Sequence, residues 1–364
     1  MNVLIVTFDP PKRIGGIENR SRLYLKGLRK NGHYAKILSF LPFPQNLSNA
    51  KADDYQLTLS SSPACLPSVF ITLLKVYRRE RFHSILMLTG CLTLVGICLL
   101  LYARLFRIKS TALLYGKDVM TAMKISRLEH FILPLATRLA NRVAVNSKFT
   151  ASLLGGKMEK KAVVLYPCID PDEMNIQSNK HNSTKHIIFV GRLVRRKGVD
   201  DLLKAFSFVS EEFPDCFLDI VGDGPELVNL KNLAKQLSID DKVKFHGELR
   251  GRKLYEIISS GSLLVLPSKT LNGDVEGFGT VILEAAFYSI PAIGTYSGGI
   301  REAIIDGVTG KLVPESNPIE LGKAISKYMS NPELIELHGE AARKRVLSHF
   351  TLSQSIKQII STFD

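Results

Sequence analysis

Residues 186–201, HIIFVGRLVRRKGVDD, contain in miniature the unit from which the whole chain is built. The run HIIFVG is short, apolar and closed by a glycine, which reads as a buried strand. A basic loop from Gly191 to Gly198 follows, and Val199-Asp200-Asp201 opens a helical pattern extending to about residue 210. Further along, the alternation continues with CFLDIVG, a helix at 225–237, VKFHG, a helix at 252–259, SLLVLP, a helix at 280–289 and PAIGT. Before it come VLIVTF, a helix near 17–31, YAKILSF, SILMLTG, STALLYG and RVAVNS. Strands alternating with helices in this way predict mostly parallel sheets covered by helices.

The two series are separated by 160–184, where the chain turns polar and irregular, so a domain boundary is expected there. A chain of 364 residues, 45% of them hydrophobic, has length for two cores. The expected fold is α/β, with two doubly wound Rossmann-like domains, 1–170 and 171–350, facing a central cleft. Ligands are expected at the carboxyl ends of the strands. Residues 84–106, SILMLTGCLTLVGICLLLYARLF, approach the length of a membrane span. Gly90 interrupts them, and apolar strands flank them, so they read as a strand at 84–89 and a core helix from Leu92 to Phe106. Five cysteines without a CxxC exclude a disulfide framework or zinc knuckle and fit a reducing compartment. The opening MNVLIVTF reads as a strand rather than a leader, and a cytoplasmic protein is expected.

The net charge of +14 is unevenly spread. Residues 1–170 hold 25 Lys+Arg against 9 Asp+Glu, net +16, whereas 171–364 hold 23 against 25, net −2. Clusters such as Lys75, Arg78, Arg79, Arg81 and Arg104, Arg107, Lys109 suit an anionic membrane surface at about 1 kcal/mol per cation, or else simply keep the surface solvated. A nucleic-acid binder would interleave such cations with stacking aromatics; the chain has no Trp, and no nucleic-acid partner is expected.

Two constellations carry chemistry. In the first, Arg192, Arg195, Arg196 and Lys197 lie at a strand's carboxyl end beside a helix start, an arrangement that suits a diphosphate. In the second, Asp274-Val275-Glu276-Gly277-Phe278-Gly279-Thr280 leads into a helix carrying Glu284. A carboxylate accepts from both hydroxyls of a vicinal diol, so Glu284 suits a ribose and Glu276 a hexose. Backbone N–H groups of Phe278, Gly279 and Thr280 are placed to meet phosphate or sugar oxygens. Acids near a helix N-terminus also stabilise the helix without any ligand.

At this point the chain resembles a retaining family 4 glycosyltransferase of the GT-B fold. The matching pieces are Pro10-Pro11 through Gly15-Gly16-Ile17-Glu18, VGRLVRRKG, DIVGDGPE, VKFHGEL, EGFGTVILEA with two glutamates eight residues apart, PAIGTYSGGIREAI and DGVTGKLV. The resemblance implies a nucleotide-sugar donor held mainly by the second domain, with no metal or other cofactor required. Arg192 and Lys197 would hold the diphosphate, Glu276 the transferred sugar and Glu284 the ribose. Gly222 and Gly279 would line the donor site, and Gly16 would close on the phosphates. Residues 351–364 would cross back onto the first domain. The motifs are most similar to those of mannosyltransferases using GDP-mannose, with UDP-glucose, UDP-galactose and UDP-GlcNAc remaining open. The acceptor would be a glycan or lipid-linked, in cell-surface polysaccharide or glycolipid assembly at the inner membrane face.

The family's usual His-Gly-x-Asp is here Tyr115-Gly116-Lys117-Asp118. A phenol lacks imidazole's proton chemistry near neutrality, so Tyr115 and Asp118, with Asp9, stand as candidate acceptor or sugar contacts. The departure also motivates an alternative, a noncatalytic nucleotide-sugar sensor or partner subunit. Asp170-Pro171-Asp172 has the spacing of a metal-diphosphate motif but reads as an Asp-Pro turn, and His246 is a candidate base contact rather than a metal ligand.

Overall fold

A computed structural model describes residues 1–8, 16–41, 55–58, 71, 74, 79–124, 127–176 and 185–363. Asp9, Pro10, Pro11, Gly15, Lys75 and Arg78 lie outside these. The chain divides into two compact units, Met1–Pro167 with Leu352–Asp364, and Cys168–Thr351.

The first unit is built on a wholly parallel sheet in the order β3-β2-β1-β4-β5-β6-β7. Its strands are β1 (Asn2–Thr7), β2 (Tyr34–Leu41), β3 (Tyr55–Thr58), β4 (Ser84–Met87), β5 (Lys109–Leu114), β6 (Arg142–Val145) and β7 (Val163–Val164). β1 and β4 read as unbroken apolar runs because helices cover them and both faces are buried. The hydrophobic run expected over 92–106 is the helix Leu94–Leu105, started two residues later because the Thr93 side chain accepts from the Gly96 N–H and caps it. At 12 residues it rises only about 18 Å, and no helix among the described residues is long and apolar enough to cross a membrane.

After Thr351 the chain contributes the helix Leu352–Ser361 to the first unit, packed on the helix Gly16–Lys30. Gly27 makes this approach possible, since a Cβ there would lie 2.5 Å from Ile356 Cγ1. Thr362 Oγ1 and Thr111 Oγ1, 2.9 Å apart, fasten the end of the helix to β5.

The second unit has a parallel sheet in the order β10-β9-β8-β11-β12-β13. These strands are β8 (Lys185–Val190), β9 (Cys216–Val221), β10 (Val243–Gly247), β11 (Leu263–Leu266), β12 (Ala292–Thr295) and β13 (Gly310–Val313). Ile187, Phe189, Leu218, Ile220, Leu264 and Ile293 fill its core. The chain proceeds outward from β8 to β9 and β10, then returns to place β11 on the other side of β8. That reversal leaves a crevice beyond the carboxyl ends of β8 and β11, where open α/β sheets bind ligands. Both constellations singled out in the sequence follow these two strands.

Candidate functional site

Beyond β8, the loop tightens into a 3-10 turn at Arg195–Lys197 and passes through left-handed Gly198 into the helix Val199–Glu212. Its four cations have different surroundings. Arg195 is exposed and 3.3 Å from Glu226. Arg196 and Lys197 turn inward, while Arg192 is exposed and its side chain has no ion-pair or hydrogen-bond partner among the described residues. The N-terminus of Val199–Glu212 is answered by the chain's own acids: Asp200 and Asp201 occupy its first turn and each lies 2.9 Å from Lys269 Nζ. The start of this helix is therefore already neutralised from within the chain.

Glu276 is the focus of the loop after β11. Its Oε2 accepts from Lys197 Nζ at 2.5 Å, Arg196 Nη1 at 2.9 Å and the Ser268 hydroxyl at 3.2 Å. Burial alone pushes this carboxyl up, but the two adjoining cations more than reverse the effect and bring it down to about 2. Glu276 is thus an ionised acceptor at physiological pH and not a proton donor. All three bonds go to one oxygen; Oε1 accepts none from the described residues. Arg196 also approaches Asp274 at 3.3 Å, so it braces the loop from beneath.

This loop rests on a second turn, Ser297-Gly298-Gly299 within PAIGTYSGGIREAI. The Gly299 N–H donates to Glu276 O at 3.0 Å. Gly298 has φ +51°, and a Cβ on it would stand 2.1 Å from Glu276 O. Glycine is required here both for the left-handed backbone and for the contact.

Past Glu276, Phe278 is buried with its ring 5.7 Å from that of Phe350. Gly279, at φ +81°, starts the helix Thr280–Phe287 without a side-chain cap. The amides of Thr280 and Val281 have no intrahelical acceptor, whereas the Ile282 N–H donates to Gly279 O at 2.9 Å. Glu284 lies in its second turn, half-buried, with no hydrogen-bond or ion-pair partner among the described residues. Burial pushes its carboxyl up to about 7. Gly222, just beyond β9, packs against the β8 loop, where a Cβ would meet Gly191 O at 1.9 Å. Arg192, Lys197, Gly222, Glu276, Phe278, Gly279, Thr280 and Glu284 thus all follow strand ends of the second unit.

The other candidates belong to the first unit. Gly16 opens the helix Gly16–Lys30. Asp118 Oδ2 accepts from the Tyr115 N–H at 3.1 Å, capping the helix Gly116–Lys124 from within, which is a structural task. The Tyr115 hydroxyl is buried, with the Arg20 guanidinium 5.9 Å from the ring centroid, and burial pushes its ionisation well above the ordinary phenol range despite that cation. Two further expectations take a different form. His246 is engaged within the protein, its Nε2 lying 2.5 Å from Asp219 Oδ1, while His186 Nδ1 lies 2.7 Å from Oδ2 of the same carboxylate. A bulge between Phe245 and Gly247 breaks the register there and redirects the imidazole. Asp170 caps the short helix Pro171–Met174 by accepting from the Asp172 N–H at 3.1 Å.

Residues 171–345 match the family model described as Glycosyl transferases group 1, and the second unit belongs to that family. Across 64% of this chain, the sequence is 28% identical to an uncharacterized glycosyltransferase of Methanocaldococcus jannaschii, matching 61% of its length. Across 45%, it is 31% identical to a GDP-mannose-dependent alpha-(1-6)-phosphatidylinositol monomannoside mannosyltransferase of Mycolicibacterium smegmatis, matching 44% of its length. These matches span less than two thirds of either relative. The fold is shared along the whole chain with the Anabaena protein HepE, solved with UDP and glucose: TM-score 0.80 at 18% identity, covering 100% of this chain and 99% of that one. The class is α/β with two Rossmann-like units, the GT-B fold.

Proposed function

We propose that the protein is a retaining glycosyltransferase that moves a hexose from a nucleoside diphosphate sugar to a glycan or lipid-linked acceptor in cell-surface polysaccharide or glycolipid assembly. The observation that carries this reading is Glu276 Oε1, an ionised oxygen left without a bond next to Lys197, with unpartnered Arg192 on the same loop. In this reading Oε1 accepts from hexose hydroxyls, while Arg192 and the remaining donors of Lys197 take up the charge that develops on the diphosphate as the anomeric bond breaks. The amides at Gly279 and Thr280 add donors at an uncapped helix start. Glu284 takes the ribose diol. These residues supply the leaving-group stabilisation themselves, so the proposal includes no metal.

Mannose is slightly favoured, supported by the GDP-mannose-dependent relative; the HepE complex with UDP and glucose keeps uridine donors in view. The first unit would bring the acceptor and work as a peripheral protein at the cytoplasmic face of a membrane. Free thiols at Cys91 and Cys216 support a reducing compartment.

The test is turnover of GDP-mannose, UDP-glucose, UDP-galactose and UDP-GlcNAc, read as released nucleoside diphosphate with and without acceptors. One donor is expected to turn over, and Arg192→Ala and Glu276→Gln are each expected to lower kcat/KM about a hundredfold or more. Tight nucleotide binding without turnover of any donor would instead favour a sensor.

A further inference from the structure

The helix Leu94–Leu105 links β4 to β5, and the helix Arg127–Leu139 leads into β6. β4, β5 and β6 are successive neighbours in a parallel sheet, so right-handed crossovers place both helices on one face of it. The helices pack on each other, and Leu99, Leu100, Ala103, Ile132, Leu133 and Ala136 join one core cluster beneath them.

Their outward sides are unusually apolar. Leu94, Leu101 and Leu105 recur at helical spacing on one helix, and Leu128, Phe131 and Leu135 on the other. Leu105 is 70% exposed, Leu128 61% and Phe131 75%. Two adjacent stripes of this kind exceed the scattered apolar residues of an ordinary surface.

One end of these stripes is cationic. Arg104 and Arg107 close the first helix, and Arg138 and Arg142 close the second. All four are exposed and have no carboxylate partner among the described residues. The two ends are tied together, because Asn141 Oδ1 accepts from the Ser110 N–H at 2.9 Å and the Ser110 hydroxyl at 3.1 Å. The helix Leu94–Leu105 contains no acid, and Arg127–Leu139 contains only Glu129.

We infer that this two-helix face docks the protein on an anionic lipid surface, with the leucines and Phe131 entering the headgroup–acyl boundary and the four arginines meeting lipid phosphates. A bilayer surface offers both chemistries the face requires, apolar depth and negative charge. A second copy of the same face brings further arginines and none of the negative charge that Arg104, Arg107, Arg138 and Arg142 lack. Charge alone would need no exposed leucines. The inference deepens the membrane-facing part of the proposed function, and it is read out independently of sugar transfer.

The experiment is flotation of the full chain with phosphatidylcholine vesicles containing about one third phosphatidylglycerol, at about 0.15 M salt. The wild type is expected to float. Leu105→Ser/Phe131→Ser is expected to lower the bound fraction about tenfold or more, and the milder Phe131→Ser to lower it less. Arg104→Ala/Arg138→Ala is expected to weaken binding to these vesicles as well. Phe208→Ser, at a ring 57% exposed in the second unit, is expected to bind as the wild type does. Unchanged melting temperatures and donor hydrolysis in solution show that the variants are folded.

Equal flotation of the wild type and Leu105→Ser/Phe131→Ser would overturn the inference. So would a wild type that ignores the vesicles but sediments as a dimer dissociated by Phe131→Ser, which would make the face a self-association surface. If no donor turns over in any protein while flotation follows the expected pattern, the docking face stands and the transferase reading falls.

Discussion

Glu276 and Glu284 are eight residues apart and ionise in opposite ways. Lys197 and Arg196 hold Glu276 at about 2, against the upward push of burial, so its stabilising charge is present above the ordinary carboxylate range and lost as pH falls from about 4.5 toward 2. Glu276→Gln leaves Lys197, only 13% exposed, without its counter-charge and Arg196, 19% exposed, with Asp274 alone. We expect it to lower unfolding stability in urea by about 2–3 kcal/mol, and Lys197→Met/Glu276→Gln to cost less than the sum of the two single changes. Glu284 has no such partner, and burial raises it to about 7. Its contribution is complete below about 4.5 and declines as pH rises to 7, a slope that Glu284→Gln should flatten. If Glu284 accepts from ribose hydroxyls, the bound state favours its carboxylate, so nucleotide binding near pH 6.5 expels a proton and tightens as pH rises through 7. A nucleoside diphosphate loses part of a proton of its own near this pH, so calorimetry in buffers of different ionisation heat reads the Glu284 proton as the difference between the wild type and Glu284→Gln. Equal proton release by the two proteins would remove Glu284 from the ribose site.

At the scale of elements, most of the fold was legible because its signals are local. Apolar runs ending in glycine became parallel strands, and the helix expected over 280–289 ends at Phe287 because Ser289 adopts a left-handed φ of +57°. The partners of the basic loop were not legible. Four consecutive-looking cations read alike in sequence, yet only the folded loop turns Arg196 and Lys197 toward Glu276 and leaves Arg192 free, a choice set by contacts 79 and 80 residues apart. The turn at Gly298-Gly299 escaped notice for the same reason; its signal was a Ser-Gly-Gly without any visible partner. Gly298→Ala forces a Cβ against Glu276 O, and the displaced loop carries the Glu276 carboxylate with it. Given how steeply rate depends on positioning, we expect kcat/KM to fall about a hundredfold, measured on whichever donor turns over. Gly27→Leu tests a different joint: it should push the helix Leu352–Ser361 away from Gly16–Lys30, lowering stability by about 1–3 kcal/mol and speeding hydrogen exchange across 352–361.

For the molecule as a whole, the two units differ in charge and in proposed ligand, and these differences give separate handles on their stability. Each has its own sheet and core, so calorimetry should resolve two transitions. The excess of +16 over residues 1–170 opposes compaction by self-repulsion, and added salt screens it. Raising salt from about 0.05 to 0.5 M should therefore lift the transition of the first unit and leave that of the second, with its near-neutral sequence, almost unmoved. A nucleoside diphosphate should do the reverse. At a hundred times its dissociation constant it stabilises the state that binds it by about 2.7 kcal/mol, which for a unit of this size is a rise of roughly 5–10 °C. Hydrogen exchange under the same conditions should slow at 191–198 and 268–284 and assign the shifted transition to the second unit. A nucleotide that lifts only the salt-sensitive transition would move the donor site to the first unit and remove the roles given to Arg192, Lys197 and Glu276.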